Sequence, residues 1–255
     1  MNVRKPFIVI VFLGVSWAAN SALATFHFMQ IEQVIGGVEG DVTAQAIQLR
    51  LRDAGQHVVN QSRIRAWDAN GANPVVLRNL NFPVLSGAPG RRILLVTESF
   101  LSTTSPATVP NFSMIPIPQS YLVAGSLTYE SDAGEIVWRV SWGGAAYTGS
   151  NHGDEIANDP DGDFGPPFSG ALPYTGCQAL QFQGLFSAQS STNLSDYAIT
   201  VGPAVWMNNG EQSFALPNCI PSVSEWGIVL LSITLMTAGT LLLGKRGRSQ
   251  TNVST

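Results

Sequence analysis

The residues able to do chemistry are few and scattered. His27, His57 and His152 are the only histidines, widely spaced and without partners at ligand spacing, so each reads as a surface or strand residue. There is no phosphate loop, dinucleotide glycine pattern, His-Glu-x-x-His or Cys-x-x-Cys, the spacings that cradle phosphates or hold metals. A Gly-x-Ser-x-Gly nucleophile elbow is missing too. Two carboxylates meeting in space could hydrolyse a glycosidic bond, but nothing in the spacing selects a pair, and no catalytic residue is assigned. The one concentrated site runs from Asn151 to Asp163. Asp159, Asp161 and Asp163 alternate as in calcium loops, where a hard cation collects about six to eight oxygens. Phe164 stands where an EF-hand needs Gly, and Gly170 where it needs a bidentate Glu. A weak calcium site on those three aspartates is thus the one cofactor expectation, set against a plain solvated acidic loop.

The elements that must position these residues are strands. Thr43 to Leu51 alternates, with Ile47, Leu49 and Leu51 on one face and Gln48 and Arg50 on the other. Ile136 to Trp142 places Ile136, Trp138, Val140 and Trp142 together, as core rather than as a sugar-stacking platform. Further strands are expected over Phe28–Ile35, Arg63–Trp67, Arg92–Val96, Leu122–Tyr129, Gln178–Phe182 and Tyr197–Val201. Turn residues separate them at Gly36-Gly37 with Gly40-Asp41, Asp68–Gly71 and Ser131–Gly134. No amphipathic helix of three turns is visible. Thr103–Gln119 and Gly143–Gly176 lack periodicity and read as long loops, the first kept out of helix by Pro106, Pro110, Pro116 and Pro118. Short strands with turns between them predict an all-β, antiparallel sandwich.

Both ends carry addressing signals. Arg4 and Lys5 precede the apolar run Phe7–Ala19, and Ala22-Leu23-Ala24 supplies a small-x-small cleavage pattern. Residues 1–24 therefore read as a secretory signal peptide cut before Thr25, with an uncleaved membrane helix as the alternative. At the other end, Trp226 to Gly244 is nineteen residues without a charge. As a helix it would span roughly 28 Å, close to the hydrocarbon core of a bilayer. Lys245, Arg246 and Arg248 follow, a basic cluster that prefers the cytoplasmic side.

Between those ends, 25–215 is expected to form one exported domain. That region holds eight arginines, no lysine and 16 acidic residues up to Cys219, a balance of about −8 that argues against neutralising the phosphates of nucleic acid. Cys177 and Cys219 are the only cysteines. In an oxidising compartment they form a candidate disulfide, the alternative being two buried thiols.

Ile220-Pro221-Ser222-Val223-Ser224-Glu225-Trp226-Gly227 resembles the IPTL-CTERM protein-sorting signal of Gram-negative bacteria, with Ser222 and Val223 in place of the family's Thr and Leu. The resemblance covers 220–248. It implies that Ile220, Pro221, Ser224, Glu225, Trp226 and Gly227 are read by an exosortase-type membrane enzyme, after signal peptidase and the secretion machinery have acted at the inner membrane. The alternative is an ordinary single-span anchor. The order of Ile31–Ile35, Ala46–Leu49, Asp132–Trp138 and Ser195–Ala198 resembles bacterial lamin-tail domains. There Gln48 replaces the usual Glu and Trp138 the usual Asp. That likeness implies an immunoglobulin-like sandwich and a non-catalytic surface module. The expectation is thus an exported, surface-sorted structural or adhesive β protein. An extracellular hydrolase or a carbohydrate-binding module on the same sandwich is the rival.

Overall fold

The computed structural model describes residues 28–154 and 162–217, together with the helical residues 232–234 and 236. The signal peptide with its cleavage site at Ala22, Ala24 and Thr25 lies outside the described residues. So do Cys219, Asp159, Asp161, the sorting motif Ile220–Gly227 and the basic cluster Lys245, Arg246 and Arg248. Among the described residues no helix is long and apolar enough to cross a membrane.

The described chain is mostly sheet. Its strands are β1 (Met29–Ile35), β2 (Ala46–Leu51), β3 (Ser62–Trp67), β4 (Val75–Leu80), β5 (Arg92–Val96) and β6 (Phe112–Ser113). They continue with β7 (Gly125–Ser131), β8 (Ile136–Trp142), β9 (Leu180–Phe182), β10 (Tyr197–Ile199), β11 (Val205–Met207) and β12 (Ser213–Ala215). A single turn of α-helix, α1 (Asn193–Asp196), and three short 3-10 turns complete the described elements. The strands form a six-stranded sheet in the order β10-β9-β1-β2-β5-β6, a four-stranded sheet β4-β3-β7-β8 and the hairpin β11-β12. Pairing is antiparallel apart from β5 with β6.

Strand alternation builds two cores. Ile47, Leu49 and Leu51 of β2 with Ile93 and Leu95 of β5 meet Ile64 and Ala66 of β3, Leu127 and Tyr129 of β7 and Trp138, Val140 and Trp142 of β8 in one cluster. The six- and four-stranded sheets therefore share an apolar interior. On the opposite side of the six-stranded sheet, Ala46 of β2 and Leu94 and Val96 of β5 join Trp206, Phe214 and Leu216 of the hairpin region. That second core makes β11-β12 a cover on the outer face. A bulge in β1 between Ile31 and Gln33 adds the extra residue that changes facing. Met29, Ile31 and Val34 serve the first core, while Ile35 serves the second.

Several expected boundaries shift by two or three residues, among them the strand expected from Gln178, which begins at Leu180. The strand expected from Thr43 begins at Ala46, because the Thr43 amide and hydroxyl both donate to Asp41 Oδ1 and hold a turn. The strand expected from Leu122 begins at Gly125, after a 3-10 turn at Gln119–Tyr121. The strand expected to Val201 stops at Ile199, where Thr200 turns its amide to the Ala179 carbonyl and its hydroxyl to Gly202. Ile136 is only partly buried, whereas Trp138, Val140 and Trp142 are wholly buried.

Candidate functional site

The outer face of the four-stranded sheet is a lattice of polar side chains. In β3 the inward Ile64 and Ala66 alternate with the outward Arg63, Arg65 and Trp67. In β7 the outward positions are Ser126, Thr128 and Glu130, and in β8 they include Arg139 and Ser141. The register aligns Arg63 with Glu130, Arg65 with Thr128 and Arg139, and Trp67 with Ser126 and Ser141. On the far side of β3, Val76 of β4 pairs with Arg65 and Asn79 with Arg63.

Glu130 is fully buried and takes two arginines. Arg63 Nε lies 2.9 Å and Arg65 Nη2 3.3 Å from Glu130 Oε2. The Thr128 hydroxyl donates to Glu130 Oε1, and the Trp67 indole N–H donates to the Thr128 hydroxyl oxygen at 2.9 Å. Arg65 and Arg139 both stand over the Trp67 ring, 5.2 and 5.9 Å from its centroid. Arg139 donates to the His152 carbonyl and to Ser126. Burial pulls its guanidinium below the ordinary value, opposed by Tyr147 and the nearby carboxylates.

A loop walls this face on one side. Tyr147 Oη bonds Ser126, Asn151 accepts from Ser141, and Thr148 N donates to the Ala69 carbonyl in the β3–β4 turn. The closest approach is backbone to backbone, since a Cβ on Gly149 would sit 2.5 Å from the Gly71 amide nitrogen. The exposed margin of the face therefore runs along β3 and β4, where Arg63, Arg65 and Trp67 are partly exposed and Val76 and Asn79 exposed.

A second network of the same design lies on the outer face of the six-stranded sheet. Glu32 accepts from Arg50 at 3.0 Å and from Arg92 at 2.8 Å, and the Gln48 amide N–H donates to it at 2.8 Å. Arg50 also forks onto Gln30 Oε1. Burial, with a contribution from Arg92, pulls the Arg50 guanidinium down, against the pull of Glu32. Gln48 Oε1 accepts from Met207 N at 2.6 Å, so this network also ties β11 to β2. It is a structural joint, largely closed by the C-terminal hairpin.

Of the expected site residues, only Asp163 and Cys177 lie among the described residues. Asp163 is exposed and accepts from Gly165 N, and among the described residues no three His, Cys, Asp or Glu side chains group around a metal position. His152 stands 4.0 Å from Asp163 and is exposed. His57 packs against Gly87, its Nδ1 buried without a hydrogen-bond partner. The hydroxyl–carboxylate pair Thr128–Glu130 is sealed beneath Trp67 and lacks a histidine, so it has neither the access nor the base that a nucleophile needs. Cys177 is buried and disulfide-bonded. Sequence reading missed Arg63, Arg65, Trp67, Glu130 and Arg139 as a set. Their signal was the outward phase of three strands, which becomes a site only once the register is known. No protein-family model matches the chain, and no curated protein matches it.

Proposed function

We propose that this is an exported protein, sorted to the cell surface through its C-terminal segment, whose central region is a non-catalytic structural or adhesive β module. The observation that carries the module reading is the fate of its buried acids. Glu32 and Glu130 are each bound by two arginines, which uses carboxylates to cross-link strands instead of leaving them poised for proton transfer. An immunoglobulin-like sandwich accounts for the topology. β1-β2-β5 and β4-β3-β7-β8 correspond to strands A-B-E and C′-C-F-G of that architecture, with β9, β10 and the hairpin as additions.

The sorting reading draws on position. The IPTL-CTERM-like octapeptide begins three residues beyond Pro217, where the described body ends, so a processing enzyme would meet it beside a finished domain. Replacing Pro221 and Trp226 together by Ala in the native cell should trap the full-length protein in the inner membrane. Unchanged surface delivery and molecular mass would reduce the segment to an anchor.

A further inference from the structure

We propose that the outer face of the hairpin β11-β12, with the loop tips beside it, rests on a lipid bilayer while the C-terminal segment is anchored there. The antiparallel register sets Val205 opposite Ala215 and Met207 opposite Ser213, and directly opposed residues share a face. Trp206 and Phe214 fill the other face, toward the second core. Ser105 bridges to Ala215 and extends the row, bringing the exposed Pro106 and Ala107 beside it. Ala204 N donates to the Cys177 carbonyl and Leu216 N to the Ala204 carbonyl, so the turn before β11 lies beside the point where the body ends. Val201 in that turn is fully exposed, and Val205 is 54% exposed.

This end of the body is set apart by its lack of charge. No residue from Ser99 to Tyr129 is charged, and from Tyr197 to Asn218 only Glu211 is, where Arg91 neutralises it at 2.8 Å. The region from Thr25 to Cys219 carries about −8 by formal charge, so its acidic remainder is repelled by anionic lipid and would lose the hydration of its charges on contact. Contiguous exposed apolar surface marks an interaction site, and the reach of the chain selects lipid as its occupant. Eight residues, Asn218 to Glu225, separate Pro217 from the apolar run that begins at Trp226, a reach of at most about 30 Å. With Cys219 as the partner of the disulfide-bonded Cys177, six residues remain and the reach falls to about 20 Å. A body of this size is about 40 Å across. The run therefore cannot enter a bilayer without holding this end of the body toward it, at high effective concentration.

The inference rests on the reading that 226–244 enters the membrane, and its test separates the two. Full-length protein carries the photoreactive residue benzoylphenylalanine in place of Ala215 or, as control, of Asp132, exposed in the β7–β8 turn. Each is reconstituted into vesicles of phosphatidylethanolamine and phosphatidylglycerol, where flotation reports anchoring and irradiation reports contact. Both proteins should float, and position 215 should form severalfold more lipid adduct than position 132. Val201→Asp/Val205→Asp should float as before yet lose adduct at position 215 severalfold, because a carboxylate pressed onto lipid is stripped of its water. Thermal melts of each variant establish folding, and if the double variant is unfolded, Val201→Asp alone, at a fully exposed position, is scored in its place. Failure to float overturns both readings. Three outcomes overturn the lipid contact alone: flotation with equal adduct at the two positions, adduct indifferent to the folded aspartate variant, or a cross-link at twice the chain mass, which would make this face a contact between copies.

Discussion

Glu130 and Tyr197 show how single polar residues hold this fold. Glu130 is wholly buried and bridges Arg63 and Arg65 of the neighbouring strand. Its removal leaves two cations without their counter-charge, and breaking a buried pair in this way costs about 3 kcal/mol. Glu130→Ala should lower the urea unfolding free energy by that amount, while Asp132→Ala, exposed in the adjoining turn, should stay within about 0.5 kcal/mol of the parent. Tyr197 works without charge. The Trp138 indole N–H donates to its hydroxyl, which donates onward to the Ile31 carbonyl and so links β8, β10 and β1. Burial pushes the phenol well above its ordinary range, so it stays protonated and keeps donating throughout neutral and mildly alkaline pH. Tyr197→Phe leaves a buried indole N–H and a carbonyl unpaired and should cost about 1–3 kcal/mol in the same titration. Neither role was visible beforehand. A Glu and a Tyr in strands are legible as alternating residues, but their partners lie 67 and 166 positions away, and only the register brings them together.

At the scale of elements, most strands of five or more residues were legible, as were the short β9 and β10, while β4, β6, β11 and β12 were not. β2, β3 and β5 follow the period-two pattern, as does β8 from Trp138 onward, because one side of each serves the shared core; a bulge at Val137 turns Ile136 off that core. β4 reads Val-Val-Leu-Arg-Asn-Leu and carries a bulge, with Leu77 the extra residue between the pairs Ile64–Arg78 and Arg65–Val76. Its facing therefore breaks phase midway and the alternation disappears. β11 and β12 have three residues each, too few for any period, and their place is set by Trp206 and Phe214 filling the second core. Trp206→Ala should accordingly cost about 3–5 kcal/mol, whereas Leu85→Ala, at a position 97% exposed, should be near neutral by the same denaturation measurement. The turns were legible because their chemistry is local. Asp68 accepts from the Ala72 and Asn70 amides and from the Asn73 side chain, and these bonds hold its carboxyl below the ordinary value, Ala72 first. A carboxylate with a depressed folded pKa stabilises above its unfolded pKa and loses that contribution as pH falls through the folded one. The Asp68 carboxyl resonance should thus titrate below the usual 3.8, and Asn73→Ala should move its midpoint upward.

The described residues form three β layers, and the outermost is the hairpin that ends shortly before Pro217. The hairpin β11-β12 is bound to the body by Trp206 and Phe214, by Gln48 with Met207 N and by Asn209, whose side chain both accepts from and donates to the Ser86 backbone. Arg91 and Glu211 add an ion pair at 2.8 Å. Cys177, buried in the same apolar layer, is disulfide-bonded. With Cys219, the chain's other cysteine, as its partner, the bond would close a loop of about 42 residues and stabilise the fold by about 4 kcal/mol on the chain-entropy account. The consequence is specific to the layer. Opening the bond leaves the apolar and amide contacts of the hairpin in place, so the body should remain folded with a lower midpoint. Cys177→Ser, or reductant on the parent protein, should therefore lower the thermal midpoint by several degrees. The near-ultraviolet signal of Trp138 and Trp142 should stay native below the transition. Under reductant Cys177→Ser should show no further shift. An unchanged midpoint for both treatments would mean that the hairpin is held by its packing alone and that the disulfide contributes nothing to the folded body.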